Sequence, residues 1–369
     1  MYRKIMGFLE AWKENEHRKP LILQGARQVG KTYSILEFGR IHYENVAYFN
    51  FETNPKLNET FEEKISPDYL IPILSHIAGQ TIVKEKTLIV FDEVQLCERA
   101  LTSLKYFCED APDYHIIVAG SLLGVAVNRA KFSFPVGTVD MKTLYPMDME
   151  EFMIAVREDE LVEQIKKCFE TNRPMPSALH DVAMQLYRQY LVVGGMPECV
   201  MQFVQTGDYI LIRHTQDTIL TSYLNDMGKY NNLNEIKKTR LAYDNITVQL
   251  SKKNTRFQYK LIKKGGRASE FENAIEWLCL SGIASQVYRV EQIKKPLENY
   301  RDIDAFKIYV SDLGLLCAKK DLAANDILYM VEELNDFKGG MTENYVNVQL
   351  SINGYHTYYW ESERGAEID

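Results

Sequence analysis

The chain has no apolar run near the roughly 20 residues that a helix needs to cross a bilayer, so no membrane segment is expected. Nor does an apolar stretch follow Met1-Tyr2-Arg3-Lys4, which leads into an amphipathic segment; secretion is not expected, and a cytoplasmic location is. The six cysteines, at 97, 108, 168, 199, 279 and 317, form no C-x-x-C pair, so zinc binding lacks its usual ligand spacing. Cys97, Cys108 and Cys279 sit among apolar residues and read as small core fillers. Positive charge is not in excess. With 43 Lys and Arg against 51 Asp and Glu, the formal net charge of −8 argues against a globally basic nucleic-acid binder but allows a local patch. Low-complexity tracts and internal repeats are also missing. What is present is 369 residues, 46% of them hydrophobic, enough for two or three domains with cores of their own.

One octapeptide dominates the reading. Gly25-Ala26-Arg27-Gln28-Val29-Gly30-Lys31-Thr32 fits the P-loop pattern G-x-x-x-x-G-K-[ST] at every fixed position. Glycines let a backbone fold into a concave nest whose N–H groups point at the α- and β-phosphates of a nucleotide. Lys31 would reach the β- and γ-phosphates, and the Thr32 hydroxyl would ligate Mg²⁺. The pattern needs a strand before it and a helix after it. Pro20-Leu21-Ile22-Leu23-Gln24 suits a buried parallel strand, and Lys31 to Phe38, free of Pro and Gly, predicts a helix with its N-terminal dipole toward the phosphates.

Thr87-Leu88-Ile89-Val90-Phe91-Asp92-Glu93 is an apolar run that ends in two acids, the Walker B pattern. A buried strand there would carry Asp92 to the carboxyl edge of the sheet as a Mg²⁺ ligand, direct or through water, and would place Glu93 to polarise an attacking water. His115-Ile116-Ile117-Val118-Ala119-Gly120-Ser121 predicts another strand ending at the same edge. Ser121 is read either as a sensor of the γ-phosphate or as the cap of a following helix. No N-K-x-D guanine signature occurs, which favours ATP.

These segments resemble a known group. GARQVGKT, LIVFDE and IIVAGS, then Phe134-Pro135-Val136-Gly137 and Leu144-Tyr145-Pro146-Met147-Asp148-Met149-Glu150-Glu151-Phe152, resemble prokaryotic AAA-type ATPases that carry a C-terminal domain of unknown function. The likeness continues through Tyr190-Leu191-Val192-Val193-Gly194-Gly195-Met196-Pro197-Glu198 and Tyr309-Val310-Ser311-Asp312-Leu313-Gly314-Leu315-Leu316. It implies an α/β P-loop NTPase core of the additional-strand type, followed by a helical region, a winged-helix-like segment and a partial nuclease-like tail. Related chains often carry a basic residue just after the Pro-x-Gly turn, where this one has Thr138. Arg129 and Arg27 are then the candidates for an arginine-finger role.

Pattern changes suggest four stretches: an ATPase domain at 1–150, a helical lid-like region at 151–238, a winged-helix-like segment at 239–305 and a restriction-endonuclease-like part at 306–369. The tandem glycines of Gly194-Gly195-Met196-Pro197 predict a sharp helix-ending turn whose purpose the sequence does not reveal. Lys252, Lys253, Arg256, Lys260, Lys263, Lys264 and Arg267 form a positive cluster with no acid among them. A helix at 269–280 and a wing strand at 283–290 should follow. Glu270, Glu272 and Glu276 on that helix would repel DNA phosphates. In the tail, Glu343 on a helix and Asp369 after Glu367-Ile368 resemble two acids of a nuclease site. No E-x-K follows Asp369, so this reading expects a truncated product without a complete nuclease site.

The expected activity is Mg²⁺-dependent ATP hydrolysis coupled to conformational change in the C-terminal modules. Lys31, Glu93 and Ser121 are the catalytic candidates, residues 25–32 the nucleotide cradle, and Thr32 and Asp92 the metal ligands. A slow nucleotide-gated switch that docks a partner stands as the alternative, as does an ATP-powered DNA-binding or defence factor. A homo-oligomer, a protein partner and DNA all stay open.

Overall fold

The computed structural model describes residues 1–121, 135, 137–229, 233–250, 256–362 and 366–368. The chain divides into two units, one of Arg3–Leu144 and one of Tyr145–Asp369 with Met1–Tyr2. In the first unit the strands are β1 (Leu21–Gln24), β2 (Asn45–Asn50), β3 (Thr87–Asp92), β4 (His115–Gly120) and β5 (Asp140–Thr143). They form one sheet in the order β2-β3-β4-β1-β5, and every pairing is parallel. β4 is thus inserted between β1 and β3, the additional-strand arrangement that the sequence likeness implied. β3 and β4 are buried along their whole length, as interior strands of a sheet covered on both faces must be.

Helices α1 (Ile5–Glu14), α2 (Lys31–His42), α3 (Leu57–Glu63), α4 (Pro67–Ala78) and α5 (Glu98–Asp110) connect and cover the strands. The expected helix after the P-loop is therefore real and runs four residues beyond Phe38, to His42. α2 lies close on β2: a Cβ on Gly39 would stand 2.5 Å from Val46 Cγ2. On the opposite face, Ala47 and Phe49 of β2 join α3, α4 and α5 in an apolar cluster. Its centre is a triangle of Phe51, Phe61 and Phe91, with ring centroids 5.7–5.9 Å apart at offset or edge-on angles that aromatic rings favour.

The second unit begins helical. α6 (Met149–Ala155) opens with a capping box, in which Asp148 accepts from the Glu151 N–H and Glu151 accepts from that of Asp148. There follow α7 (Asp159–Glu170), α8 (Ser177–Val193), α9 (Pro197–Thr206), α10 (Tyr209–Lys229), α11 (Leu233–Leu250), α12 (Tyr259–Ile262) and α13 (Ala268–Leu280). A second sheet has the order β7-β6-β8-β9, from β6 (Ala284–Val290), β7 (Arg301–Val310), β8 (Tyr358–Glu361) and β9 (Glu367–Ile368). β6 pairs antiparallel with β7 and parallel with β8. Between β7 and β8 run α14 (Leu313–Lys319), α15 (Ala324–Leu328) and α16 (Asn335–Ile352).

The tandem glycines now have a reason. Gly194 has φ +75, and a Cβ there would lie 2.3 Å from Asp312 Oδ1; at Gly195 it would lie 2.0 Å from the Met147 carbonyl oxygen. Gly314 is equally tight, 2.4 Å from the carbonyl oxygen of Val193. Asp312 is buried, caps α14 by accepting from the Leu315 N–H at 2.8 Å, and accepts from the Gly195 N–H at 2.6 Å. Burial pushes its carboxyl up to about 6, while its amide donors pull the other way. Asp312→Ala would leave those buried N–H groups unpaired, at a cost on the order of 2 kcal/mol. Thermal or urea denaturation should show the loss. Because the folded-state pKa of Asp312 is raised, the stability it contributes is complete below its ordinary value of 3.8 and is lost as pH rises through about 6. The stability gap between wild type and Asp312→Ala should therefore narrow from pH 5 to pH 8.

Candidate functional site

Strand order decides where the functional residues of the first unit meet. β1, β3 and β4 run parallel, with Gln24 opposite Gly120 and Phe91 opposite Val118, so the residues after each strand emerge at one carboxyl edge. Gly25–Gly30 leave from β1, Asp92 and Glu93 end β3, and Ser121, which is buried, follows β4. Such an edge is where open α/β sheets bind ligands.

The P-loop backbone has the bends that a nest requires. Gly25, Gln28 and Gly30 take positive φ values of +145, +66 and +91. Gly25 has a second constraint: a Cβ would lie 2.1 Å from the carbonyl oxygen of Leu144, just past β5. Gly30 is the N-cap of α2, and no side chain caps that end, so the first-turn N–H groups face the edge of the sheet. Arg3, buried at the foot of α1, donates from Nη1 to the Val29 carbonyl at 3.0 Å and ties the loop from below. Lys31 is folded back, with Nζ donating to the carbonyls of Gly25 at 2.9 Å and Ala26 at 2.7 Å.

Thr32 and Asp92, the two expected metal ligands, are in direct contact: Thr32 Oγ1 donates to Asp92 Oδ2 at 2.8 Å. Asp92 is 4% exposed, and its Oδ1 accepts from the Glu93 N–H at 3.0 Å. Glu93 has a left-handed backbone, φ +51, and its carboxylate accepts from Gln95 Nε2. Burial raises the Glu93 pKa above its ordinary value, helped by the nearby Asp92 charge. The structure therefore brings together the P-loop, Lys31, Thr32, Asp92, Glu93 and Ser121 at one edge. Of the arginine-finger candidates, Arg27 is half-buried in the loop, and Arg129 lies outside the described residues.

Sequence reasoning did not single out Tyr48, Asn50 or Gln95. Tyr48 donates from its hydroxyl to Asp92 Oδ2 at 2.8 Å, and Asn50 donates to the Tyr48 hydroxyl at 3.1 Å. Their signal was faint: Val46, Tyr48 and Asn50 alternate with Ala47 and Phe49 along β2, a period of two that marks a strand with two different faces.

The downstream candidates have other surroundings. Glu343 on α16 accepts from the Tyr309 hydroxyl at 3.2 Å and stands 3.5 Å from Lys307 Nζ, a buried ammonium that also meets Glu367 at 2.6 Å. Among the described residues no group of three or more His, Cys, Asp or Glu is placed to hold a metal ion. Asp369 lies outside the described residues, as do Lys252 and Lys253. Lys263 pairs with Glu270 at 3.2 Å, and Arg256 donates to the Asp304 carbonyl at 3.1 Å.

Comparison with known proteins agrees with this geometry. Residues 17–153 match the model of a family described as AAA domain. The first unit is an AAA-type P-loop NTPase fold. Residues 184–326 match a domain of unknown function, DUF8612. Among solved structures, a Walker-type ATPase of Pyrococcus abyssi aligns over 86% of this chain and 95% of its own, at 15% identity and a TM-score of 0.52. The ORC2 protein of Aeropyrum pernix aligns over 95% of each chain at 10% identity and a TM-score of 0.40. The RuvB Holliday junction branch migration motor of Thermotoga maritima aligns over 78% of this chain and 88% of its own, at 14% identity and 0.33. At 15% identity the likeness to the Pyrococcus abyssi ATPase concerns fold alone, and no curated protein matches the chain.

Gly25→Ala should collapse the loop, because its Cβ has no room against Leu144. Binding of a fluorescent ATP analogue should disappear, whereas Gly7→Ala on α1, where nothing lies within 4 Å of the added Cβ, should bind normally.

Proposed function

We propose that the first unit binds ATP with Mg²⁺ and hydrolyses it, and that the second unit responds to the nucleotide state. The observation that carries this reading is the contact between Thr32 and Asp92 beside the P-loop. A hydroxyl and a buried carboxylate form a hard-oxygen donor pair of the kind Mg²⁺ takes beside phosphate oxygens. Thr32 and Asp92 would hold the ion, which when bound offsets charge on the phosphates.

The chain's own residues would do the rest. The loop N–H groups and the α2 terminus bind the phosphates, and Lys31 leaves the Gly25 and Ala26 carbonyls for the β- and γ-phosphates. Glu93 orients a water for in-line attack on the γ-phosphorus and takes its proton as the bond to the ADP oxygen breaks. Ser121, just after β4, would sense the γ-phosphate. The loop and the Thr32–Asp92 contact support nucleotide binding more directly than the rate of turnover. Gln95, which occupies the Glu93 carboxylate, favours the slow, nucleotide-gated switch as a second reading. Partner-independent steady-state turnover supports the working ATPase; tightly retained nucleotide with little turnover supports the switch.

A DNA-binding role finds less support, since part of the basic cluster is engaged by Glu270 and by a backbone carbonyl. Duplex affinity at two salt concentrations tests it, and the absence of binding at low salt would remove it.

Lys31→Ala should abolish nucleotide binding, and unchanged turnover in this variant would refute the mechanism. Glu93→Gln should retain ATP and lose on the order of 100-fold in turnover, measured by phosphate release. Because the Glu93 pKa lies above its ordinary 4.5, acidification should protonate the base early. Wild-type turnover should fall along an acid limb with its midpoint above 4.5, and Glu93→Gln should lack that limb.

A further inference from the structure

We infer that Tyr48 is a positioning residue for the Mg²⁺ end of the site, its hydroxyl fixing the orientation of the Asp92 carboxylate. The inference rests on the ATP reading above and deepens it. β2 sends Ala47 and Phe49 into the apolar cluster and leaves Tyr48 on the face where Val46 meets α2. From there the Tyr48 hydroxyl reaches Asp92 Oδ2 at 2.8 Å, the same oxygen that accepts from Thr32 at 2.8 Å. Asn50 donates to that hydroxyl at 3.1 Å and fixes its direction, so its proton points at the carboxylate. Asp92 Oδ1 is held by the Glu93 N–H at 3.0 Å.

The carboxylate is thus gripped from α2, from β2 and from its own backbone. If the Thr32 hydroxyl ligated a metal, Tyr48 would be the side chain from a neighbouring strand that still fixes Oδ2. Tyr48 is 38% exposed, and replacement by Phe keeps the ring and removes only the hydroxyl. Groups that orient metal ligands in this way commonly govern metal affinity.

The test is binding of a fluorescent ATP analogue to full-length wild type and Tyr48→Phe, first in EDTA and then across a Mg²⁺ titration. Affinity in EDTA should stay within about twofold, while the half-saturating Mg²⁺ concentration should rise about tenfold. An unchanged half-saturation point with normal wild-type behaviour overturns the role of Tyr48 and leaves the ATP reading intact. An equal loss in EDTA and in Mg²⁺ also overturns it, because that pattern is general damage to the fold. A wild-type protein that binds no nucleotide sinks the ATP reading first and this inference with it.

Discussion

A carboxylate at the end of a strand with no exposed residue must be supplied with hydrogen-bond donors, and that requirement organises the first unit. Asp92 is carried to the sheet edge by Thr87–Phe91, all buried, and cannot be solvated there by bulk water. Its donors arrive from α2, β2 and its own backbone. This satisfaction requires β2 beside β3 and α2 above both, which is what the parallel order β2-β3-β4-β1-β5 delivers. Fold and site are in this sense one arrangement: the pairing that buries the strands also collects the polar groups at their ends.

The same economy appears at the P-loop. Its carbonyls accept from Lys31 and Arg3, and its α2 terminus has no side-chain cap. An ammonium held by two carbonyls is placed to be drawn away by a stronger anion, and uncapped N–H groups are placed to receive one. The loop is therefore preorganised in its backbone, with its lysine held in reserve.

Much of this was legible in the chain. β1, β3 and β4 could be read because each is an apolar run bounded by polar residues, and the P-loop because its pattern has a mechanical cause. β5 could not: Asp140–Thr143 alternates no apolar residues, and it is a strand only because β1 offers it an unpaired edge. Tyr48 was hidden for a related reason, since its partner Asp92 lies 44 residues away and only the sheet order makes them neighbours. In the second unit a turn at Gly194-Gly195 was legible, but Asp312 behind it was not. Close approach of two backbones leaves glycines as its trace, without saying which segment approaches.

That approach also bears on how the second unit is assembled. Gly195 and Asp312 are separated by 117 residues, and their contact closes a ring that contains α9 to α13 and the β6–β7 hairpin. Closing so long a loop costs entropy that local helices do not recover for it. The hydrogen bond from the Gly195 N–H to Asp312 therefore ties together two stretches of the second unit that local structure alone would leave independent.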